Sequence, residues 1–477
     1  MVKPSSYYKK PSERDFEELR RIVGGEYVST DEEELATNAI DAFPGEFHMP
    51  DVVVWPRDAG QVSRILAYAS RERIAVTVRA AGTGLSGCIP LYGGIVLNLT
   101  RMNRIKEIAE RDMVAVVEPG VVYERLNEEL RKYGLFFPPD PGSAITCTIG
   151  GMVANNASGM RAVKYGVTRD YVLGLETVLP TGEVIKLGAR VFKTSIGPDL
   201  TRLMVGSEGI LGVFTEVTLR LRPLPKTAVT ALAFFDKVTD ATDAVYDVIR
   251  QGLDPAALEF ISRRSIKAVS DFKNLNLPDA DAMLIVELHG RDEHVIRQMQ
   301  EVRAALERHN AFEVRLAETE EERSNIWAAR KGAYPALLKV SKSPLSGDII
   351  VPISKITEMV EKSYEIAAKY GMDFGMIGHV GDGNVHHIWF ADRSEPGSWE
   401  RAVKANDEIV KYAIELGGAA SAEHGIGIEK KKFMQLQHGK ETYELLLKLK
   451  RFFDPANILN PGIMFDVEEV LAAEVVA

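Results

Sequence analysis

Cysteine is scarce in this sequence: Cys88 and Cys147 are the only two among 477 residues. Two thiols cannot ligate an iron–sulfur cluster, and they do not make the framework of a disulfide-rich secreted domain. Any chain of one-electron carriers that works with this protein must therefore belong to another subunit.

Long apolar runs and an excess of positive charge are also lacking. No apolar stretch approaches the ~18–20 residues that span a bilayer, and the first eight residues lack the apolar core of a signal peptide. The formal net charge is −10, and no run of Lys or Arg would attract a phosphate backbone. We therefore expect a soluble, cytoplasmic protein without a transmembrane segment or a nucleic-acid partner, and docking on a membrane complex stays open. Its length predicts two to four domains.

Two glycine-rich segments in the last quarter of the chain carry three of the nine histidines. They are Gly378-His-Val-Gly-Asp-Gly-Asn-Val-His386 and Ser421-Ala-Glu-His-Gly-Ile-Gly427. Two imidazoles and a carboxylate, from His379, His386 and Glu423, form a ligand set that suits Zn²⁺, Mn²⁺ or Fe²⁺ and leaves positions open for a substrate oxygen. His424 is then left over as a base. The alternative is a pair of hydrogen-bonded turn histidines without a metal.

A glycine-rich loop in the first half matches a dinucleotide-binding motif by its letters. Gly82-Thr-Gly-Leu-Ser-Gly87 has the G-x-G-x-x-G spacing, with Glu107 about 20 residues further on. That motif requires a helix to begin within it, but Pro90 and two glycines follow before the next strand. We therefore expect no nicotinamide-binding fold. Consecutive backbone N–H groups of such a loop can still bind phosphates.

Two further loops have the same composition. One runs from Phe137 through Ser143 to the small-residue run Thr148-Ile-Gly-Gly-Met-Val-Ala-Asn-Asn-Ala-Ser-Gly159, whose backbone could lie flat against a planar ring. The other is Gly206-Ser-Glu-Gly-Ile-Leu-Gly212, which leads into an alternating strand. Each loop alone could be an ordinary turn, but three in one domain favour a large cofactor.

The pattern of apolar residues predicts the coarse layout. In the first half, a strand at 52–55 is followed by a helix that Asp58 and Gln61 begin with a capping box, and then by strands at 74–79 and 95–99. From about residue 228, strands at 229–235, 283–288 and 312–316 and a helix at 295–308 predict an antiparallel sheet backed by helices. Arg330 lies in a compact stretch of small residues, a suitable place for a group that grips a carboxylate.

These motifs together resemble a known family. Arg79-Ala-Ala-Gly-Thr-Gly-Leu-Ser-Gly87, Pro138-Pro-Asp-Pro141, Gly150 to Gly159 and Gly206-Ser-Glu-Gly209 are similar to the FAD-binding domain of the vanillyl-alcohol oxidase / p-cresol methylhydroxylase superfamily. The histidine motifs and Leu459-Asn-Pro-Gly462 resemble the branch of D-lactate dehydrogenases, the flavin subunit of glycolate oxidase and D-2-hydroxyglutarate dehydrogenase. The resemblance covers roughly residues 45 to 465.

This resemblance implies an α+β fold. We expect a two-subdomain FAD-binding domain of the p-cresol methylhydroxylase type, together with an antiparallel-sheet substrate (cap) domain. The expected divisions are an N-terminal helical segment at 1–45, the FAD-binding domain at 46–225, the cap domain at 226–415, and a segment at 416–477 that returns to the flavin with the Glu-His motif.

The resemblance also implies roles for individual residues. The metal ligands would be His379, His386 and Glu423, the catalytic base His424, and the group that holds the substrate carboxylate Arg330. The pyrophosphate of FAD would lie against Ala81, Gly82, Thr83, Gly84, Leu85, Ser86 and Gly87. The remaining FAD contacts would be Pro139, Asp140, Ser143, Thr148, Gly151, Asn155, Ser158 and Gly159 along the ribityl chain and ring, Glu208 and Ile210 at the adenosine, and Asn460 near the flavin.

Three departures from the family refine these expectations. Thr83 stands where relatives with covalent flavin have a histidine, so the FAD should be noncovalent. The 2-hydroxyglutarate enzymes use a Lys and an Asn where this chain has Ser346 and Ile388. Because a second substrate carboxylate would be costly to bury without a polar partner, small monocarboxylates such as D-lactate or glycolate fit better.

The expected function is therefore oxidation of a small D-2-hydroxy acid to the 2-oxo acid, with metal-assisted proton removal and hydride transfer to FAD. Electrons would pass to a partner such as an iron–sulfur subunit, an electron-transferring flavoprotein or a quinone-linked chain. The alternatives are a D-2-hydroxyglutarate dehydrogenase, a transferase like alkyl-dihydroxyacetonephosphate synthase, and an FAD-bound electron-transfer subunit. A hydrolase is less suitable, because the His-Glu-x-x-His motif is absent.

Overall fold

The computed structural model describes residues 4–317 and 319–474. The first half begins with the helices Pro4–Tyr7, Glu13–Val23 and Glu32–Thr37 and contains a four-stranded sheet. The strands of this sheet, in spatial order, are Val28–Ser29, Val52–Val54, Ile95–Asn98 and Val76–Arg79, and the last three are parallel.

The helix Ala59–Glu72 covers this first sheet. The Asp58 carboxylate accepts a hydrogen bond from the Gln61 backbone N–H at 2.9 Å, which satisfies one of the free donors at the helix start, as the sequence predicts. No helix begins in the loop that follows the strand Val76–Arg79, and the next element is the strand Ile95–Asn98. The expectation that the G-x-G-x-x-G letters do not form a dinucleotide-binding turn is confirmed.

A second, antiparallel sheet completes the first half. Its strands, in spatial order, are Ile105–Ala109, Val114–Val117, Val213–Arg220, Val172–Val178 and Val184–Gly188. The accompanying helices are Tyr123–Arg131, Ile149–Asn155, Ala162–Tyr165 and Leu200–Met204, and the short strands Leu135–Phe136 and Arg222–Pro223 pair with each other. The small-residue run from Thr148 to Gly159 was expected to have a flat backbone, but Ile149–Asn155 form a helix. Thr148 caps this helix, and Gly150 packs closely on Pro119.

The second half is built on an eight-stranded antiparallel sheet. Its strands, in spatial order, are Glu313–Leu316, Thr227–Phe235, Ala282–Gly290, Ala257–Ser262, Phe374–Gly378, Asn384–Trp389 and Leu345–Ser346, and Ile349–Ile350 also pairs with Asn384–Trp389. The helices of this half are Val238–Arg250, Arg263–Lys273, Asp292–Arg308, Glu320–Val340, Ile356–Tyr370 and Ser398–Glu415. The predicted strands and the predicted helix are present with boundaries shifted by a few residues.

The last part of the chain returns to the first sheet. It contains the helices Gly427–Lys430, Met434–His438, Lys440–Phe453 and Val467–Ala472. The Val76 N–H donates to the Ile458 carbonyl, and the Asn460 N–H donates to the Val76 carbonyl, both at 2.8 Å. The buried Lys450 also stabilises this returning segment, because its Nζ lies 2.6 Å from Oδ2 of Asp454. None of the helices in the described part of the chain combines the length and apolar composition that a membrane-spanning helix requires.

Candidate active site

One cavity of about 570 Å³ brings together the glycine-rich loops of the first half and the histidine motifs of the second half. Such a volume is typical of a binding site for a large organic ligand. The residues with an expected role that line it are Ala81, Gly82, Thr83, Gly84, Leu85, Ser143, Thr148, Gly151, Asn155, Glu208, Arg330, His379, His386, Glu423, His424 and Asn460.

The other residues expected to contact FAD are not among those that line this cavity. They are Ser86, Gly87, Pro139, Asp140, Ser158, Gly159 and Ile210. Ser158 donates to Oε2 of Glu423 at 2.9 Å, so it supports an expected metal ligand. Asp140 is buried 3.6 Å from Arg161, and the Ile210 carbonyl accepts from Lys450.

The loop of Gly82 to Ser86 offers free backbone donors. Its N–H groups donate to no acceptor within residues 4–317 and 319–474, whereas the N–H groups of Gly87 and Cys88 donate to Asp41. Neighbouring free N–H groups in a loop that begins at Gly82, a glycine with φ 67°, are suited to a pyrophosphate. The residues present therefore fit the phosphates of FAD.

The three expected metal ligands converge in the second half of the cavity. His379 follows the strand Phe374–Gly378, and His386 lies on the strand that pairs with it. The Nε2 atoms of both histidines lie 3.3 Å from Oε1 of Glu423, and the two rings meet edge to face with centroids 5.3 Å apart. Two imidazole nitrogens and a carboxylate oxygen directed at one point fit a divalent metal ion.

A buried carboxylate that the sequence interpretation missed orients His379. Glu259 accepts from Nδ1 of His379 at 2.7 Å and from Nε of Arg330 at 2.8 Å. Proton donation through Nδ1 leaves the lone pair of Nε2 free to bind a metal, which is how carboxylate partners support ligand histidines. Glu259 interrupts the apolar strand Ala257–Ser262, and this lone acid is the signal in the sequence that could have revealed it.

Charge dominates over burial at His379 and Glu423. Burial by itself lowers the pKa of His379, but the carboxylates of Glu259 and Glu423 outweigh it and hold that pKa well above its usual value. Burial by itself raises the pKa of Glu423, but the two ligand histidines hold that pKa well below its usual range. Glu423 is therefore an ionised carboxylate, as a metal ligand must be, and a metal bound at Nε2 of His379 would have to displace the proton that the two carboxylates hold there.

The turn Ser421–Gly427, which carries Glu423 and His424, is held by a buried carboxylate at each end. Oδ2 of Asp348 accepts from the Ser421 hydroxyl and from the N–H groups of residues 422, 423 and 424 at 2.8–3.1 Å. Glu208 accepts from the N–H groups of residues 426 and 427 at 2.6 and 2.8 Å. Glu208, which was expected at the adenosine, lines the cavity, and both of its carboxylate oxygens accept from this turn.

His424 is stacked on His386, with ring centroids 5.1 Å apart and planes at 14°. Burial lowers the pKa of His424 to about 4, so the imidazole is neutral near pH 7 and can accept a proton. The Nδ1 atoms of both rings are buried and have no hydrogen-bond partner in the described part of the chain. Such orphaned buried atoms are rare in proteins and are consistent with a site that binds another group.

A second possible metal group combines Asp348, His386 and His424. Asp348 is already the acceptor for a hydroxyl and three backbone N–H groups, and the buried Lys430 lies 3.5 Å from it. A carboxylate with so many donors has little capacity left for a metal. The set of His379, His386 and Glu423 is therefore the better fit.

Arg330 lies on the helix Glu320–Val340 and lines the cavity with only 5% of its surface exposed. Its Nη2 atom is 2.5 Å from Oε2 of Glu259, so one edge of the guanidinium is already paired. Ser346 and Ile388 line the same cavity, and the Ser346 hydroxyl lies 2.9 Å from the Tyr334 hydroxyl.

Comparison with known proteins gives family matches along most of the chain. The description "FAD binding domain" matches residues 50–188, and "FAD linked oxidases, C-terminal domain" matches residues 224–464. Glycolate oxidase subunit GlcD of Bacillus subtilis is 40% identical over 96% of this chain and 98% of that protein. D-lactate dehydrogenase of Anaerostipes hadrus is 35% identical over 87% of this chain and 89% of that protein.

Among solved structures, p-cresol methylhydroxylase with bound substrate has a TM-score of 0.81 at 18% identity, over 96% of this chain and 97% of that one. This likeness confirms the expected fold, a p-cresol methylhydroxylase-type FAD-binding domain with an antiparallel-sheet cap domain. With its FAD-binding domain and the C-terminal domain that follows it, the chain belongs to the family of FAD-linked oxidases.

Proposed function

We propose that this protein oxidises a small D-2-hydroxy acid, D-lactate or glycolate, to the 2-oxo acid. The observation that carries the proposal is the shared cavity: a metal-type cluster, a neutral histidine, an arginine and the free N–H groups of the glycine-rich loop all belong to it. The names of the relatives, a glycolate oxidase subunit and a D-lactate dehydrogenase, support the same class of substrate.

Removal of the hydroxyl proton is the difficult part of this reaction. An alcohol with a pKa near that of water, ~15.7, lies about nine units above an ordinary histidine, which corresponds to about 12 kcal/mol, and the lowered pKa of His424 widens this gap. A bound divalent metal would supply the positive charge that lowers the pKa of the substrate hydroxyl, and FAD would supply the hydride acceptor. The proposal assigns the metal to His379, His386 and Glu423, and the FAD phosphates to the loop at 81–87.

The residues of this chain then have distinct tasks. His424 is neutral near pH 7, because its burial disfavours the charged imidazole, and its free lone pair can therefore accept the hydroxyl proton. The free edge of Arg330 holds the substrate carboxylate, while Glu259 fixes the other edge. Asp348 and Glu208 keep the Ser421–Gly427 turn in place, so that the base and the ligand Glu423 keep a fixed relation.

The lining of the cavity supports a small monocarboxylate. Ile377 and Ile388 are apolar, and the Ser346 hydroxyl already has the Tyr334 hydroxyl as a partner. A second carboxylate buried among these groups would have no cation beside it. Lys331 also lines the cavity, but its side chain is exposed, and an ion pair formed in water stabilises little.

The electrons must leave through another molecule. Cys88 and Cys147 are free thiols and cannot hold a cluster, so the proposal requires a separate electron-accepting protein. That GlcD is named as a subunit is consistent with such a partner.

An anaerobic screen of D- and L-2-hydroxy acids tests the proposed function. The flavin absorption of the purified protein should bleach with D-lactate or glycolate and remain with L-lactate. If none of the 2-hydroxy acids reduces the flavin, the proposal is wrong.

A further inference from the structure

A second cavity of about 230 Å³ lies apart from the first and shares no lining residue with it. Its walls are mainly polar. The lining residues are Lys164, Tyr165, Asp170, Tyr171, Arg220, Arg222 and Asp254. Residues 164–222 belong to the first half of the chain and Asp254 to the second half, so the cavity lies where the two halves meet.

The charges of this cavity do not balance. Lys164 is paired with Asp254 at 2.6 Å, and Asp170 accepts the Val167 N–H at 2.9 Å. Arg220 and Arg222 have no carboxylate within 4.0 Å among residues 4–317 and 319–474, and the guanidinium of Arg220 lies over the Phe192 ring at 4.8 Å. Three cations against two acids leave a net charge of +1 (3 − 2) in a chain whose total is −10.

The tyrosine walls are fixed by their own hydrogen bonds. The Tyr171 hydroxyl donates to the Tyr165 carbonyl at 2.7 Å, and the Tyr165 hydroxyl lies 2.9 Å from Nδ1 of His289. His289 is in turn bound to Glu287 at 2.8 Å. Because these hydroxyls already have partners, the two arginines are the groups left to recognise a ligand.

From this cavity we infer a binding site for a small phosphate-bearing anion. Two guanidinium groups without a carboxylate partner match the two charges and several oxygens of a phosphate better than a single carboxylate, because each can donate two parallel hydrogen bonds. The volume holds several water-sized groups at about 30 Å³ each, enough for a phosphate with a small organic part. The site is independent of the proposed oxidation.

Calorimetric titration of the FAD-loaded protein with inorganic phosphate, at constant ionic strength, tests this inference. The wild-type protein should bind phosphate saturably and bind acetate at least about tenfold more weakly. The double variant Arg220→Gln/Arg222→Gln should lose about tenfold or more in phosphate affinity, because it removes both positive charges and their paired donors. Arg297→Gln, at an exposed arginine elsewhere, is the matched control and should bind as the wild type does.

The flavin spectrum and the melting temperature show whether the variants are folded. If the double variant unfolds, Arg222→Gln alone replaces it in the titration, because the Arg222 side chain is exposed and its loss should not disturb the fold. Arg222→Lys should give an intermediate phosphate affinity, because lysine keeps the charge but not the paired donors. The absence of saturable phosphate binding in the wild type would overturn the inference. Equal affinity in wild type and folded variant, or equal affinity for acetate and phosphate, would do the same.

Discussion

Glu259 forms a buried ion pair with Arg330, with Nη2 of the guanidinium 2.5 Å from Oε2 of the carboxylate. The same carboxylate accepts from Nδ1 of His379. One acid therefore connects the proposed substrate-binding arginine with a proposed metal ligand. Burial by itself raises the pKa of Glu259, but His379 and Arg330 outweigh it and lower that pKa, so the acid is ionised.

Glu259→Gln should weaken metal binding. The amide keeps the size of the side chain but no longer supplies the negative charge that orients His379, and loss of such a partner costs about 10–100-fold in metal affinity. The measurement is a competition between the protein and a chromophoric chelator. Glu301→Gln, at an exposed glutamate of the same half, is the control. Unchanged affinity in Glu259→Gln would show that the carboxylate is not a support of the metal site.

His424→Ala should reduce turnover by about 10²–10⁴-fold, because it removes the proposed proton acceptor. Its flavin absorption spectrum should stay as in the wild type, since the expected FAD contacts are on other residues. Stopped-flow reduction of the flavin by D-lactate measures the effect. His438→Ala changes an exposed histidine and should react at the wild-type rate. A variant at 424 that reduces its flavin normally would remove His424 from the proposed mechanism.

The pair Ser346→Lys and Ile388→Asn should shift the substrate preference toward D-2-hydroxyglutarate. Both positions line the cavity, and the two polar groups would provide partners for a second carboxylate. We expect the ratio of kcat/KM for D-2-hydroxyglutarate over D-lactate to rise by about tenfold or more, an effect of about 1.4 kcal/mol. Ser195→Lys, in an exposed segment, should leave the ratio unchanged. An unchanged ratio in the double variant would mean that another part of the cavity selects the substrate.

Asp15 should make folding stability depend on pH at the acid end. Burial by itself raises its pKa, but hydrogen bonds from Lys9, Ser12 and Tyr68 outweigh this and lower the pKa below its usual value. The ionised form therefore stabilises the fold at pH values above the ordinary aspartate pKa, and this contribution is lost as the pH falls toward the lowered one. Asp15→Asn should cost about 1–3 kcal/mol at pH 7.

Thermal unfolding of Asp15→Asn and wild type at several pH values measures this difference, which should shrink as the pH falls below about 4. Glu17→Gln changes an exposed acid on the same helix and should have little effect. A difference in melting temperature that stays constant down to the acid end would contradict the role given to the ionised Asp15.

Local patterns predicted much of the fold, because they depend on near neighbours in the chain. The Asp58 cap, the strand Val52–Val54 and the absence of a helix after the loop at 82–87 were all predictable from residues within one or two turns. The strands of the second half were predictable from their apolar runs in the same way.

The supports of the site were not predictable, because each depends on a partner far along the chain. Glu259 contacts His379 across 120 residues, and Glu208 contacts the N–H groups of Ile426 and Gly427 across more than 200. A lone acid in an apolar strand suggests a buried partner but does not identify it. The contact of Glu208 with the turn shows the same limit, because the resemblance gave no sign of it.

Removal of the metal is the most direct test of the central claim, that a divalent ion and FAD act on one small acid in a single cavity. The purified protein should be dialysed against a chelator, analysed for metal, and assayed anaerobically for flavin reduction by D-lactate. We predict that flavin remains bound, that reduction is lost with the metal, and that Zn²⁺, Mn²⁺ or Fe²⁺ restores it. Full reduction of the flavin in metal-free protein would contradict the account.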